Sequence, residues 1–147
     1  MLRAVETAGF EDGLYIASDR YGMPWMSGGG CLITRDFLRM GLLFARKGKG
    51  VGNRKIGSAT FLDRTLKNVG PKYMNLSKNK YLYYSNSTMV SGNVIGHSGY
   101  GGQFLAVNLK TGNVAAFFSV LETKSATKES YKVNMINMLI DLVNTKY

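Results

Sequence analysis

The chain has 147 residues and carries 19 Lys and Arg against 9 Asp and Glu, a net charge of +10. That length suits one compact domain, and a hydrophobic content of 45% is enough for a core, so wholesale disorder is excluded. A single cysteine, Cys31, excludes an intrachain disulfide and a cysteine-cluster metal site, and a single histidine, His97, excludes chemistry that needs two imidazoles.

Residues 1–30 carry little periodicity. They hold a turn-rich run, Asp19-Arg20-Tyr21-Gly22-Met23-Pro24, and then Gly28-Gly29-Gly30. Consecutive glycines let backbone pack on backbone or adopt positive φ. They make no phosphate loop, because no Lys-Ser/Thr follows. A helix begins after Thr34, which is placed to cap it, with Asp36 in the first turn to suit the dipole. Phe37, Leu38, Gly41, Leu42 and Ala45 share one face, and Gly48 ends the helix. Gly41 costs helix stability and marks a close contact with another element. Residues 48–57 form a basic, glycine-rich loop. A shorter helix starts at Ser58 as its cap, with Phe61, Leu62 and Leu66 inward. Residues 68–79 read as irregular connection around Pro71.

The texture then changes to strands. Residues 80–86 are aromatic-rich and short, Ser91-Gly92-Asn93 is a turn, and strands follow at 94–98, 103–109 and 114–121. Lys110-Thr111-Gly112-Asn113 is a hairpin turn. Three strands joined this way imply an antiparallel meander. The run 114–121 is apolar on both faces and reads as a central strand covered on both sides. A final helix over 130–144 carries the stripe Met135, Ile136, Leu139, Leu142 and Val143, which should lie across the meander.

The most unusual segment is Gly96-His97-Ser98-Gly99-Tyr100-Gly101-Gly102-Gln103. It brings an imidazole, a hydroxyl and several glycines to one point on a strand. Glycines beside a strand often mark close approach of a ligand, and a free strand N–H there can stabilise an oxyanion. A β-bulge with a merely structural histidine is the plainer reading. Met26-Ser27-Gly28-Gly29-Gly30, then Thr34-Arg35-Asp36-Phe37-Leu38-Arg39-Met40-Gly41, then the His97 segment follow one another in an order that resembles the serine β-lactamase-related hydrolases. These include class C β-lactamases, penicillin-binding proteins, esterases and 6-aminohexanoate-dimer hydrolases. The resemblance runs from about residue 19 to the end.

The resemblance implies that His97, Ser98 and Gly99 match the family's Lys-Thr-Gly or His-x-Gly triplet at the cleft edge. There the basic group and hydroxyl hold a substrate carboxylate or the proton network, and glycine leaves room for the acyl group. The Tyr100 N–H would be one of two oxyanion-hole donors. His97, Ser98 and Tyr100 are thus the expected catalytic group, with Gly99, Gly101 and Trp25 as expected substrate contacts. For Trp25 a buried anchor is an equal alternative.

The chain departs from the family in lacking a credible Ser-x-x-Lys nucleophile segment. Ser77-Lys78-Asn79-Lys80 lies in a polar linker, and Ser125-Ala126-Thr127-Lys128 in an exposed turn. With this many Ser and Lys residues, about one such string is expected by chance. Tyr73-Met74-Asn75, Tyr84-Ser85-Asn86 and Lys110-Thr111-Gly112 are equally weak matches. The expected fold is therefore α+β, a partial β-lactamase/transpeptidase-like domain. It divides into a helical part over 1–79 and a meander with a closing helix over 80–147. The expected function is the C-terminal part of a serine hydrolase of amides or esters, inactive alone. Uncovered edges of such a part predict a homo-oligomer or a partner fragment.

No cofactor or metal is expected. Eight methionines read as core filler, and Cys31 as a buried, inert thiol. Positive charge is spread over 46–55, 64–80 and 110–132 as a solvated surface. Tyr73, Tyr81, Tyr83 and Tyr84 among lysines suggest nucleic-acid stacking only weakly. The rival function is a non-catalytic basic module that binds nucleic acid or a protein. No 18-residue apolar run exists, so no membrane span is expected, and the first ten residues lack a secretory-signal pattern.

Overall fold

A computed structural model describes residues 2–25, 28–67, 70–71, 83–120 and 130–146. Their elements, in chain order, are α1 (Leu2–Ala8), β1 (Tyr15–Ile16), β2 (Gly30–Cys31), α2 (Thr34–Ala45), a 3-10 turn (Val51–Asn53), α3 (Ala59–Lys67), β3 (Tyr83–Ser85), β4 (Thr88–Ser91), β5 (Val94–Ser98), β6 (Gln103–Asn108), β7 (Val114–Phe118) and α4 (Ser130–Asn144). The architecture is α+β. Strands β3 to β7 form one antiparallel meander in sequence order, and β1 pairs with β2 in a separate small ribbon. The meander is longer than the three strands expected. The reason is a tight turn at Asn86 and Ser87, both at positive φ (48° and 58°), which folds β3 onto β4 without a glycine to announce it.

Period-2 alternation divides the sheet into two apolar faces. Val94, Phe104, Ala106 and Ala115 point to one side, where Met135, Ile136, Leu139, Ile140 and Val143 of α4 cover them. Val90, Ile95, Leu105 and Val107 point to the other, against Phe37, Phe44 and Ala45 of α2 and Leu62 of α3. The run 114–118 is accordingly covered on both faces, as its composition implies. It is not central, however: β7 stands at the end of the strand order among the described residues. Leu142 is 45% exposed and Phe61 49% exposed, so each lies off the buried stripe assigned to it from spacing.

Local chemistry explains the ends of the elements. Ser58 Oγ accepts the Thr60 N–H at 3.2 Å, the expected cap of α3. Thr34 does not cap α2; it is the first helical residue, and Ile33 precedes it with no side-chain hydrogen bond. The Asp36 carboxylate instead accepts the N–H groups of Glu11 and Asp12, both at 3.0 Å, and pairs with Arg39 at 2.7 Å. It thereby ties the chain after α1 to the start of α2. The hairpin at 110–113 is closed by Asn108, whose Oδ1 accepts the N–H groups of Lys110 and Thr111. Asn108 Nδ2 also donates to Asn144 Oδ1 at 2.8 Å, so the turn is anchored to α4. Lys110-Thr111-Gly112 is thus turn structure. The strings at 73–75, 77–80 and 125–128, the linker positions 68–69 and 72–79, Tyr81, and the expected strand ends at 80–82 and 121 lie outside the described residues.

Candidate functional site

The site is built where β5 ends. Antiparallel pairing sets His97 opposite Leu105 and Ser98 opposite Phe104. Alternation therefore turns His97 toward the α2 side, with Leu105, and Ser98 toward the α4 side, with Phe104. After Ser98 the chain makes a turn that the Gln103 residue organises. Gly99 donates its N–H to Gln103 O at 2.6 Å, and Gly101 donates to Gln103 Oε1 at 3.2 Å. A Cβ on Gly99 would overlap Gln103 Oε1, the movable end of that side chain, and stand 3.0 Å from Gln103 Cβ, so the turn packs tightly on Gln103. Between these two bonded amides, the Tyr100 N–H has no partner among the described residues.

This turn borders a cleft of ≈ 680 Å³. His97, Ser98, Gly99, Tyr100 and Gln103 form one wall. Residues 28–32, from the glycine run and β2, contribute to the same lining, with Phe37 and Phe118 beneath. The two rings stand 5.3 Å apart at 44°, joining α2 to β7. Gly29 has φ +72°, and a Cβ there would approach Ala17 Cβ to 2.9 Å. Within the glycine run, Gly29 alone shows the positive φ and close approach expected of it, while a Cβ on Gly28 would meet open space and one on Gly30 ordinary contact.

His97 is largely desolvated, and burial holds its pKa below the ordinary imidazole value. At pH 7 it is neutral and offers one N–H and one lone pair. Its environment does not make it the cationic member of a triplet. No Lys or Arg appears among the described lining residues. Arg35 and Arg39 are engaged elsewhere: both pair with Glu11, and Arg39 also with Asp36.

Four of the six expected site residues, His97, Ser98, Gly99 and Tyr100, line the cleft, but the His97 and Ser98 side chains turn to opposite faces of the sheet, so imidazole and hydroxyl do not converge on one group as the triplet expectation requires. Gly101 supports the turn from outside the lining. Trp25 is 57% exposed and also outside it, so it is no buried anchor. Cys31 departs from expectation in being exposed, at the end of the two-residue strand β2, and it belongs to the cleft lining. Sequence reasoning missed Gln103, although a polar residue directly after two glycines on a strand is a usable signal for a side chain that bonds back to its own turn. It also missed Phe118, hidden within an apolar run. Among the described residues, no three His, Cys, Asp or Glu groups are placed to hold a metal, and no helix is long and apolar enough to cross a membrane. A scan against protein-family models finds no match, and a search of curated proteins finds no significant relative.

Proposed function

We propose that this chain forms one half of the acyl-transfer cleft of a serine hydrolase related to the β-lactamases, acting on amides or esters. The observation that supports this most directly is the Tyr100 N–H, which has no partner among the described residues and is held between two bonded amides on the wall of a ≈ 680 Å³ cleft. In this reading a serine Oγ from a segment outside the described residues adds to the substrate carbonyl carbon, and its proton passes to a base on that same segment. The oxygen gains negative charge and is met by the Tyr100 N–H. Such a fixed donor is worth about 3 kcal/mol to the transition state because it needs no reorganisation. The C–N or C–O bond breaks, the leaving group takes the proton, and water then releases the acyl group from the serine. Neutral His97 positions the leaving group or a water through its N–H and lone pair.

The test is covalent labelling. The coding sequence upstream of residue 1 is read for a Ser-x-x-Lys segment, which is co-expressed with this chain and treated with a fluorescent fluorophosphonate. The expected result is labelling of that serine in the pair and no labelling of this chain alone. Salt-sensitive nucleic-acid binding with no labelling of the pair would instead favour a basic binding module.

A further inference from the structure

Behind His97 lies a second cavity, of ≈ 380 Å³. Val5 and Phe10 close it from the N-terminal segment, Met40 and Phe44 from α2, and Leu105 from β6. Among its described lining residues, His97 alone has a polar side chain. His97, Leu32 and Phe37 also line the cleft, so the two spaces meet at the imidazole. That imidazole has no hydrogen-bond partner among the described residues. The volume falls within the range of about 300–1,000 Å³ typical of small-molecule sites. An apolar cavity of about 150 Å³ already accepts a benzene ring.

We propose that this cavity takes the apolar acyl or alkyl group of the ligand, with the ligand's carbonyl seated at His97 and the Tyr100 N–H. The favoured compounds are neutral amides or esters of medium-length or aromatic acids, and acetyl compounds are poor ligands. That the ligand is a substrate rests on the hydrolase reading; that it binds does not. Three observations converge on this chemistry. The cavity wall can reward only apolar surface, which binds by leaving water. Among the described lining residues, the one polar side chain at its mouth is a desolvated imidazole, whose cost is relieved by a neutral hydrogen-bonding partner. No Lys or Arg lines either space among the described residues, so a carboxylate would enter without a counter-charge.

The test is calorimetric titration of the full chain with acetamide, butanamide, hexanamide and octanamide, and with hexanoate at pH 8. Affinity is expected to rise about fourfold per added methylene until the cavity is full, and hexanoate should bind at least tenfold more weakly than hexanamide. Leu32→Trp and Val5→Trp each enlarge a side chain of the cavity lining, one after β2 and one on α1, and each should abolish the length dependence. Two variants guard against one failing to fold, with melting curves as the check. An affinity that is flat from acetamide to octanamide overturns the proposal. So does a length dependence that survives in both folded variants. The titration is independent of the fluorophosphonate experiment: a rising series stands if no serine is labelled, and a flat series fails even if one is.

Discussion

Gly41 stands against Val114 so closely that a Cβ on the glycine would overlap Val114 Cγ1 and lie 2.9 Å from Leu105 Cδ1. This contact sets how near α2 comes to β6 and β7, and hence where Phe37 enters the cleft floor. Gly41→Ala gains about 1 kcal/mol of helix propensity. The overpacking it introduces costs more, and a net loss of about 2 kcal/mol is expected in urea unfolding. In a Val114→Ala background most of that loss should be recovered. An unchanged unfolding midpoint for Gly41→Ala would contradict the contact.

Asp36 is 0% exposed and satisfied by two backbone N–H groups and Arg39. Asp36→Asn exchanges one carboxylate oxygen for an NH2 donor, so one of the two amides loses its acceptor, while Arg39, whose side chain is 22% exposed, keeps Glu11. The substitution is therefore expected to cost about 2 kcal/mol. Burial raises the carboxyl pKa, but the hydrogen bonds from Glu11, Asp12 and Arg39 outweigh it, so the folded value lies below the ordinary 3.8. The unfolded chain then binds the proton more readily. Stability from this group is complete above the unfolded pKa and is lost as pH falls through the depressed folded one. Acid unfolding followed below pH 4 should show this component in the native chain and not in Asp36→Asn.

His97 gives a separate step. Burial favours its neutral form, so the folded pKa lies below the ordinary 6.5. Between those values the unfolded chain holds more protons, and stability rises with pH. The contribution is complete above about pH 6.5 and declines as pH falls through the folded value. His97→Gln should flatten the stability profile below pH 6.5 while leaving the Asp36 step in place. Chemical denaturation at half-unit intervals from pH 8 down to about pH 2 resolves the two, because the His97 step begins near the unfolded imidazole value and the Asp36 step only near the unfolded carboxyl value.

Elements whose burial follows a simple period were legible in the sequence. The 130–144 helix shows its stripe because α4 covers a single sheet face, and the two-sided apolarity of 114–118 reflects α2 and α4 on either side. Helix α1 gave no such signal. It is 7 residues long, and Gly9 and Phe10 end it through bonds back to Val5. Strand β4 was hidden because its turn uses Asn86 and Ser87 in the left-handed region, where glycine is the usual marker. At the site, the glycines around His97 signalled close packing but not its source, which is the Gln103 side chain. The role of Asp36 was read as a local dipole effect because its partners, Glu11 and Asp12, lie 24–25 residues away. The apolar cavity was illegible for the same reason: Val5, Leu32, Met40 and Leu105 meet only through tertiary folding.

In the proposed reaction the Tyr100 N–H receives the oxyanion of a carbonyl attacked by a serine from another segment. That role is read from the Tyr100 amide resonance in the ¹⁵N-labelled chain, paired with the Ser-x-x-Lys segment, before and after phosphonylation. A new hydrogen bond to the phosphonyl oxygen should move that resonance downfield and slow its exchange with solvent, with the Gly99 and Gly101 amides little changed. A labelled serine with the Tyr100 amide unmoved would exclude Tyr100 as the oxyanion donor.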